Sequence, residues 1–371
     1  MPPVNILVKP ASGLCNMHCR YCFYADEMRN REQASYGIMS EEAAETVIRK
    51  TLSYAKGTCS IAFQGGEPTL AGLDFYRRWL ELEKKYNVNN VQISHALQTN
   101  GLLLDEEWCL FLKKNKFLTG LSVDGIRSTH DIYRQDANGK DPYFRTLHAA
   151  ELLKNTGAEF NILTVVNKKT AAKIHKIYEY YKKKGFLWQQ YIACLDPLQT
   201  KQGAQEYSLS PQTYGQFLID LFHLWYLDFK QGKHPFIRQF ENYISILMGR
   251  RPESCEQHGV CTFQNVIEAD GSVYPCDFYM LDKYRIGNLM EDEFEQIKER
   301  AAKSDFIAQS FDHTEECQHC QYFFLCRGGC RRHRDQPGTV QGQNYFCESY
   351  RMFFQECLSS MKEIAFLCSY R

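Results

Sequence analysis

Cys15, Cys19 and Cys22 are separated by three and then two residues. Three thiolates at that spacing on one loop can hold three irons of a [4Fe–4S] cube and leave the fourth iron open to a bound molecule. A zinc site is the competing chemistry, but zinc wants a fourth protein ligand, for which His18 is the near choice. Ten of the 16 cysteines lie after residue 250. Eight of those ten form a second pattern: Cys255, Cys261 and Cys276, then Cys317, Cys320, Cys326 and Cys330, then Cys347. Eight thiolates suffice for two fully ligated clusters, and the spacing alone leaves open how they divide; a zinc ribbon is the alternative. Cys59, Cys109, Cys194, Cys357 and Cys368 remain, and most read as small apolar core residues.

The chain that must position these groups has 371 residues, enough for two or three domains. Its 44 basic and 44 acidic residues cancel, which speaks against a partner that is nucleic acid or an anionic membrane. No signal-like start and no long apolar run occurs, so a reducing cytoplasm is expected, where thiols serve as ligands more often than as disulfides. Short β-rich runs at 5–9, 60–63, 91–97, 118–123, 160–166 and 189–193 alternate with helical patterns at 40–55, 73–86, 105–114, 143–155 and 170–184. That alternation predicts a parallel sheet with right-handed crossovers, in which ligands gather at the C-terminal ends of the strands. A long helix over 207–230 and a Gly-Lys-His-Pro linker close the pattern, which places a domain boundary at 234/235. Asp270-Gly271 predicts a hairpin turn that brings Cys261 and Cys276 together.

The C-x3-C-x2-C loop, with Tyr21 before the third cysteine, resembles the signature of radical S-adenosylmethionine (radical SAM) enzymes. Gln64-Gly65-Gly66-Glu67-Pro68 follows the second strand and resembles that family's GGEP motif. The eight later cysteines resemble the SPASM extension. The resemblance implies an α/β fold: a partial (β/α)6 TIM-like barrel over 1–234, then a smaller cysteine-rich α+β SPASM domain over 235–371. It implies S-adenosylmethionine and three [4Fe–4S] clusters as cofactors. Cys15, Cys19 and Cys22 would hold the first cluster; Cys255, Cys261, Cys276 and Cys330 the second; Cys317, Cys320, Cys326 and Cys347 the third. Tyr24, Gln64, Gly65, Gly66, Glu67, Ser122, Arg134 and Leu195 are the cofactor-binding residues it implies, with Arg134 on the methionyl carboxylate.

Within that group, Cys19–Tyr24, Ala62–Leu70, Cys194–Leu198 and Asp270–Tyr279 are similar to the anaerobic sulfatase-maturating enzymes. These oxidise one Cys or Ser of a sulfatase precursor, within Cys/Ser-x-Pro-x-Arg, to Cα-formylglycine. The resemblance implies Asp277 as the catalytic base, and Tyr24, Gln64 and Arg238 as peptide contacts. A flavodoxin- or ferredoxin-type electron donor and a monomeric, cytoplasmic enzyme are expected. Another SPASM peptide maturase, making a thioether or a crosslink, is the alternative, and a non-enzymatic zinc module a second. The basic run Arg327-Gly-Gly-Cys330-Arg331-Arg332-His333-Arg334 is expected to be a solvated face; offsetting cluster charge or meeting an acidic electron donor such as flavodoxin is the alternative.

Overall fold

The structure, a computed structural model, describes residues 3–335, 337 and 341–369. Its strands are β1 (Val4–Val8), β2 (Thr58–Phe63), β3 (Gln92–Thr99), β4 (Phe117–Ser122), β5 (Phe160–Val166), β6 (Trp188–Ala193), β7 (Phe236–Ile237), β8 (Val266–Ile267), β9 (Ser272–Tyr274) and β10 (Gly287–Asn288). The first six fall on the β-rich runs of the sequence. The chain forms two compact units. One comprises Met1–Ser122, Arg134–Phe160 and Thr262–Phe306; the other comprises Val123–Tyr133, Asn161–Cys261 and Ile307–Arg371.

In the first unit, β1, β2, β3 and β4 are successive parallel neighbours. The helix Glu41–Tyr54 starts where Ser40 Oγ accepts the Ala43 N–H at 3.1 Å, and Glu106–Lys114 starts where Asp105 accepts the Trp108 N–H at 2.9 Å. Phe63 closes the core, with ring centroids 5.0 Å from Tyr76, 5.1 Å from Trp79 and 6.2 Å from Phe117.

The boundary at 234/235 is crossed by these units, for a physical reason. β8 pairs in parallel with β1, matching Leu7 to Val266 and Val8 to Ile267. β9 folds back on β8 through Gly271, whose φ of 85° suits the turn, and β10 pairs with β9. The Asp270-Gly271 hairpin therefore extends the sheet next to the cysteine loop.

In the second unit, β5, β6 and β7 are parallel neighbours. The helix expected from residue 207 begins instead at Pro211, because Ser210 caps it and Pro suits its first turn. The helix expected over 170–184 is two, Lys168–Ala171 and Ile174–Lys184. Lys173 between them lies outside helical geometry (φ −121°, ψ 17°), and Thr170 spends its hydroxyl on Val165 O and Asn167 O. The last helix, Cys347–Ser369, packs along Pro211–Lys230 through rings such as Phe353 against Phe222 at 5.8 Å.

Phe63→Ala removes the ring on which Tyr76, Trp79 and Phe117 close, and should lower stability by about 3–5 kcal/mol. The urea midpoint of the anaerobically reconstituted protein checks this; an unchanged midpoint would show that the cluster is not a cooperative core.

Candidate active site

The three-cysteine loop leaves the C-terminal end of β1, and its thiols are all half-buried. Cys22 caps the helix Phe23–Arg29, its Sγ accepting the Ala25 N–H at 3.4 Å, and Cys15 Sγ accepts the Met17 N–H at the same distance. Burial pushes the Cys15 thiol up to about 12 and raises Cys22 as well, while these N–H groups act the other way. Half-buried thiols on one loop that receive backbone N–H groups are a donor set suited to an iron–sulfur cluster, which takes them as thiolates.

The loop after β2 is laid directly on the cysteine loop. Gln64 N–H donates to Val8 O at 3.0 Å, Gly66 N–H to Ser12 O at 2.9 Å and Glu67 N–H to Leu14 O at 2.8 Å. A Cβ on Gly66 would stand 2.1 Å from Leu14 O, so only glycine permits this contact. A Cβ on Gly65, at φ 143°, would stand 3.0 Å from Ser12 O. The glycines thus admit the cysteine loop itself.

Glu67 is buried and its carboxylate is saturated by internal donors. Oε1 accepts from Thr69 N at 3.0 Å, Thr69 Oγ1 at 2.6 Å and Thr99 Oγ1 at 2.7 Å; Oε2 accepts from Asn100 N at 2.8 Å. Burial raises this carboxyl and the four hydrogen bonds oppose it. Asn100 Nδ2 then donates to Asn16 Oδ1 at 2.7 Å, inside the cysteine loop. The segment after Arg134 covers the same loop: His18 N–H donates to Gln135 O at 2.8 Å, and Ala137 N–H to Asn16 O at 2.9 Å. Arg134 is buried with its guanidinium 5.6 Å from the Tyr21 ring centre, and Ser122 is buried at the end of β4.

Asp277 starts a short turn just past β9, in the same unit as this loop. Phe278 of that turn meets Phe23 edge to face at 4.8 Å. Oδ1 of Asp277 pairs with the fully buried Lys9 ammonium. Lys9 Nζ also lies 4.0 Å from the centre of the Tyr24 ring. The Tyr24 hydroxyl donates to Glu268 Oε2 at 2.7 Å, and Arg31 Nη1 donates to the same oxygen at 2.8 Å. Burial first, then the Glu268 charge, holds the Tyr24 phenol well above its ordinary value, so it stays a neutral donor.

In the second unit, Cys317, Cys320, Cys326 and Cys347 line one cavity. A hydrogen bond from Cys347 holds Cys317 below the usual thiol range and raises Cys347 in turn. Cys255, Cys261 and Cys330 lie in this unit too, whereas Cys276 lies in the first. Among the described residues, no three of His, Cys, Asp or Glu converge closely enough for a single metal ion.

The radical SAM superfamily model matches residues 10–181, and an iron–sulfur cluster-binding domain, SPASM, matches 255–321. A cysteine-type anaerobic sulfatase-maturating enzyme of Clostridium perfringens (strain 13 / Type A) is 47% identical, over 98% of this chain and 99% of that one. The chain belongs to the anaerobic sulfatase-maturating enzymes. A serine-type member from Bacteroides thetaiotaomicron is 30% identical over 95% of this chain and 89% of its own. The solved structure described as native anSMEcpe with bound AdoMet and Cp18Cys peptide superposes with a TM-score of 0.93, at 46% identity, over 98% of this chain and 99% of that one. The radical SAM and SPASM fold expected from the cysteines is therefore the fold of this maturase.

Of three further expected site residues of the maturase, Leu195 and Arg238 lie in the second unit and Gln64 in the first. Leu195 follows β6, in a loop held by Asp196, which accepts Gly203 N–H at 2.6 Å and the Ser208 hydroxyl. Arg238 starts a helix and is partly exposed, paired with Glu253 at 2.6 Å. Gln64 is half-buried beside the glycines. The basic run corrects an expectation: Arg331, Arg332, His333 and Arg334 are all buried. Arg334 donates to Asp312 O at 2.6 Å and Ser310 O at 2.8 Å, and Arg331 donates to Gln309 at 2.7 Å. These side chains satisfy loop carbonyls and side-chain acceptors, so they do not form a solvated docking face.

Lys9, Arg31 and Glu268 were missed by sequence reasoning. For Lys9 a signal existed: a lysine immediately after an apolar strand, at the C-terminal end where such sheets place their sites. Glu67→Gln retains the shape but turns one acceptor into a donor facing donors. The affinity for S-adenosylmethionine should fall about tenfold or more, since a charge-assisted hydrogen bond is worth about 1.5–3 kcal/mol. Equilibrium dialysis with iron and sulfide analysis checks it; parental binding would show that the knot is dispensable.

Proposed function

We propose that this chain oxidises a cysteine of a sulfatase precursor to Cα-formylglycine in the cytoplasm, as a monomer. The observation that carries the reading is Asp277 held by Lys9 in the same compact unit as the open three-cysteine loop. Cys15, Cys19 and Cys22 would hold the first [4Fe–4S] cluster. The eight cysteines Cys255, Cys261, Cys276, Cys330, Cys317, Cys320, Cys326 and Cys347 would hold two more, the last four of these sharing one cavity. The cluster with S-adenosylmethionine bound supplies a 5′-deoxyadenosyl radical able to remove a hydrogen from the target Cβ.

The protein's own part is position and proton transfer. Glu67 and the two glycines keep the loops after β1, β2 and β3 in one arrangement. Gln64, Ser122, Arg134 and Leu195 orient S-adenosylmethionine, with the Arg134 charge on its carboxylate. Asp277 would take the thiol proton and one of the two further clusters would accept the remaining electron, so that with the hydrogen atom removed from Cβ the CH2–SH group becomes a thioaldehyde; water would then convert it to the aldehyde with release of hydrogen sulfide. Gln64 and Arg238 meet the peptide, while Tyr24, with its hydroxyl committed to Glu268, offers its ring. A flavodoxin- or ferredoxin-type protein delivers electrons. Cysteine is preferred as the target because the cysteine-type relative is 47% identical and the serine-type relative 30%.

Anaerobic turnover with reductant, S-adenosylmethionine and two peptides, one with Cys and one with Ser in the Cys/Ser-x-Pro-x-Arg context, tests this by mass. Formylglycine is expected from the Cys peptide with matching 5′-deoxyadenosine. Release of 5′-deoxyadenosine with both peptides unchanged would move the assignment to another peptide maturase. Reconstituted protein should carry about twelve irons, and about eight after Cys15, Cys19 and Cys22 are all replaced by Ala. Zinc in place of iron would overturn the cofactor assignment.

A further inference from the structure

Lys9 has no exposed surface, yet the reaction described above gives it no task. Its main chain is fixed on both sides: its N–H donates to Ile267 O at 2.8 Å, and its carbonyl accepts the Ser12 N–H at 3.1 Å. Its stem lies against Gly65, where a Cβ would come within 3.3 Å of Lys9 Cδ. The missing side chain at Gly65 therefore leaves the room that Lys9 fills. The ammonium ends between the Tyr24 ring face and Asp277, a residue 268 positions away in sequence.

This arrangement has a direction. An ionised carboxylate offers two acceptor oxygens. Lys9 takes Oδ1, and Oδ2 accepts no hydrogen bond from the described residues. Glu268 does not draw Lys9 away, because its own charge is met by Arg31 and the Tyr24 hydroxyl.

We infer that Lys9 is a positioning residue for the reaction: it holds Asp277 by one oxygen and so presents the other to the substrate thiol. The inference rests on Asp277 as the proton acceptor. A group displaced by about 1 Å from its productive place can cost about 100-fold in rate, which is the scale on which such a clamp acts.

The test compares Lys9→Met, Lys9→Arg, Asp277→Asn and the double variant Lys9→Met/Asp277→Asn in the full-length reconstituted enzyme. Each is assayed for 5′-deoxyadenosine and formylglycine with the Cys peptide, and for iron content. Lys9→Met should raise the 5′-deoxyadenosine formed per formylglycine by about tenfold or more, with the peptide KM within about threefold of the parent. Lys9→Arg should recover most of the coupling, and the double variant should be no worse than Asp277→Asn. A parental ratio in Lys9→Met, no recovery in Lys9→Arg, or a double variant well below Asp277→Asn overturns the inference. If Asp277→Asn itself couples normally, the base assignment fails and the inference with it. If Asp277→Asn is uncoupled and Lys9→Met is not, Lys9 alone fails. Lys9→Gln supplies the same comparison should the Met variant not take up its iron.

Discussion

Burying a charge costs several kcal/mol unless a counter-charge is buried with it, and in this chain that rule binds four residues together. Lys9 and Arg31 bring two positive charges, and Asp277 and Glu268 bring two negative ones, all inside one compact unit. Tyr24 sits between the pairs, with its ring on Lys9 and its hydroxyl on Glu268. Removing one member would strand its partner, a loss of about 3–5 kcal/mol for a buried pair. The hairpin that carries Glu268 and leads to Asp277 must therefore lie against β1, and the pairing of β8 with β1 is how the backbone meets that demand. The carboxylate of Asp277, next to Cys276, is thereby tied to the strand from which the first cysteine loop emerges.

A second constraint acts at the ends of β1, β2 and β3. Loops hold chemistry well only when rigid elements hold the loops. Here the Glu67 carboxylate gathers donors from its own turn and from Thr99 and Asn100, while Gly66 brings the second loop onto the carbonyl of Leu14. Asn100 returns the connection to Asn16 between the cysteines. Separate weak turn signals in the sequence become one hydrogen-bonded structure because parallel strands deliver all of them to the same edge.

Much of this was legible beforehand. The cysteine spacing announced cluster chemistry, since three thiols on one loop and eight more in a second pattern are the ligand sets that clusters take. The alternation of β and α runs announced a parallel sheet, and Asp270-Gly271 announced a turn, because such a signal acts within a few residues of itself. What escaped was long-range. No local pattern pairs Lys9 with Asp277, or Arg31 with Glu268, since both partnerships exist only after β8 docks on β1. The same reason explains the domain boundary: linker composition marks 234/235, yet sheet pairing carries 262–306 across it. The arginine run misled because a charged string looks solvated until the loop carbonyls it serves are in place.

The central claim is that Asp277, clamped at one oxygen, meets the substrate with the other. A crystal structure of the anaerobic enzyme with S-adenosylmethionine and a Cys-containing sulfatase peptide tests it most directly. The account predicts the target Sγ within hydrogen-bond reach of Asp277 Oδ2, about 3–3.5 Å, with Lys9 still on Oδ1. A target sulfur turned away from Asp277, or an Asp277 carboxylate released from Lys9 in the complex, would contradict it.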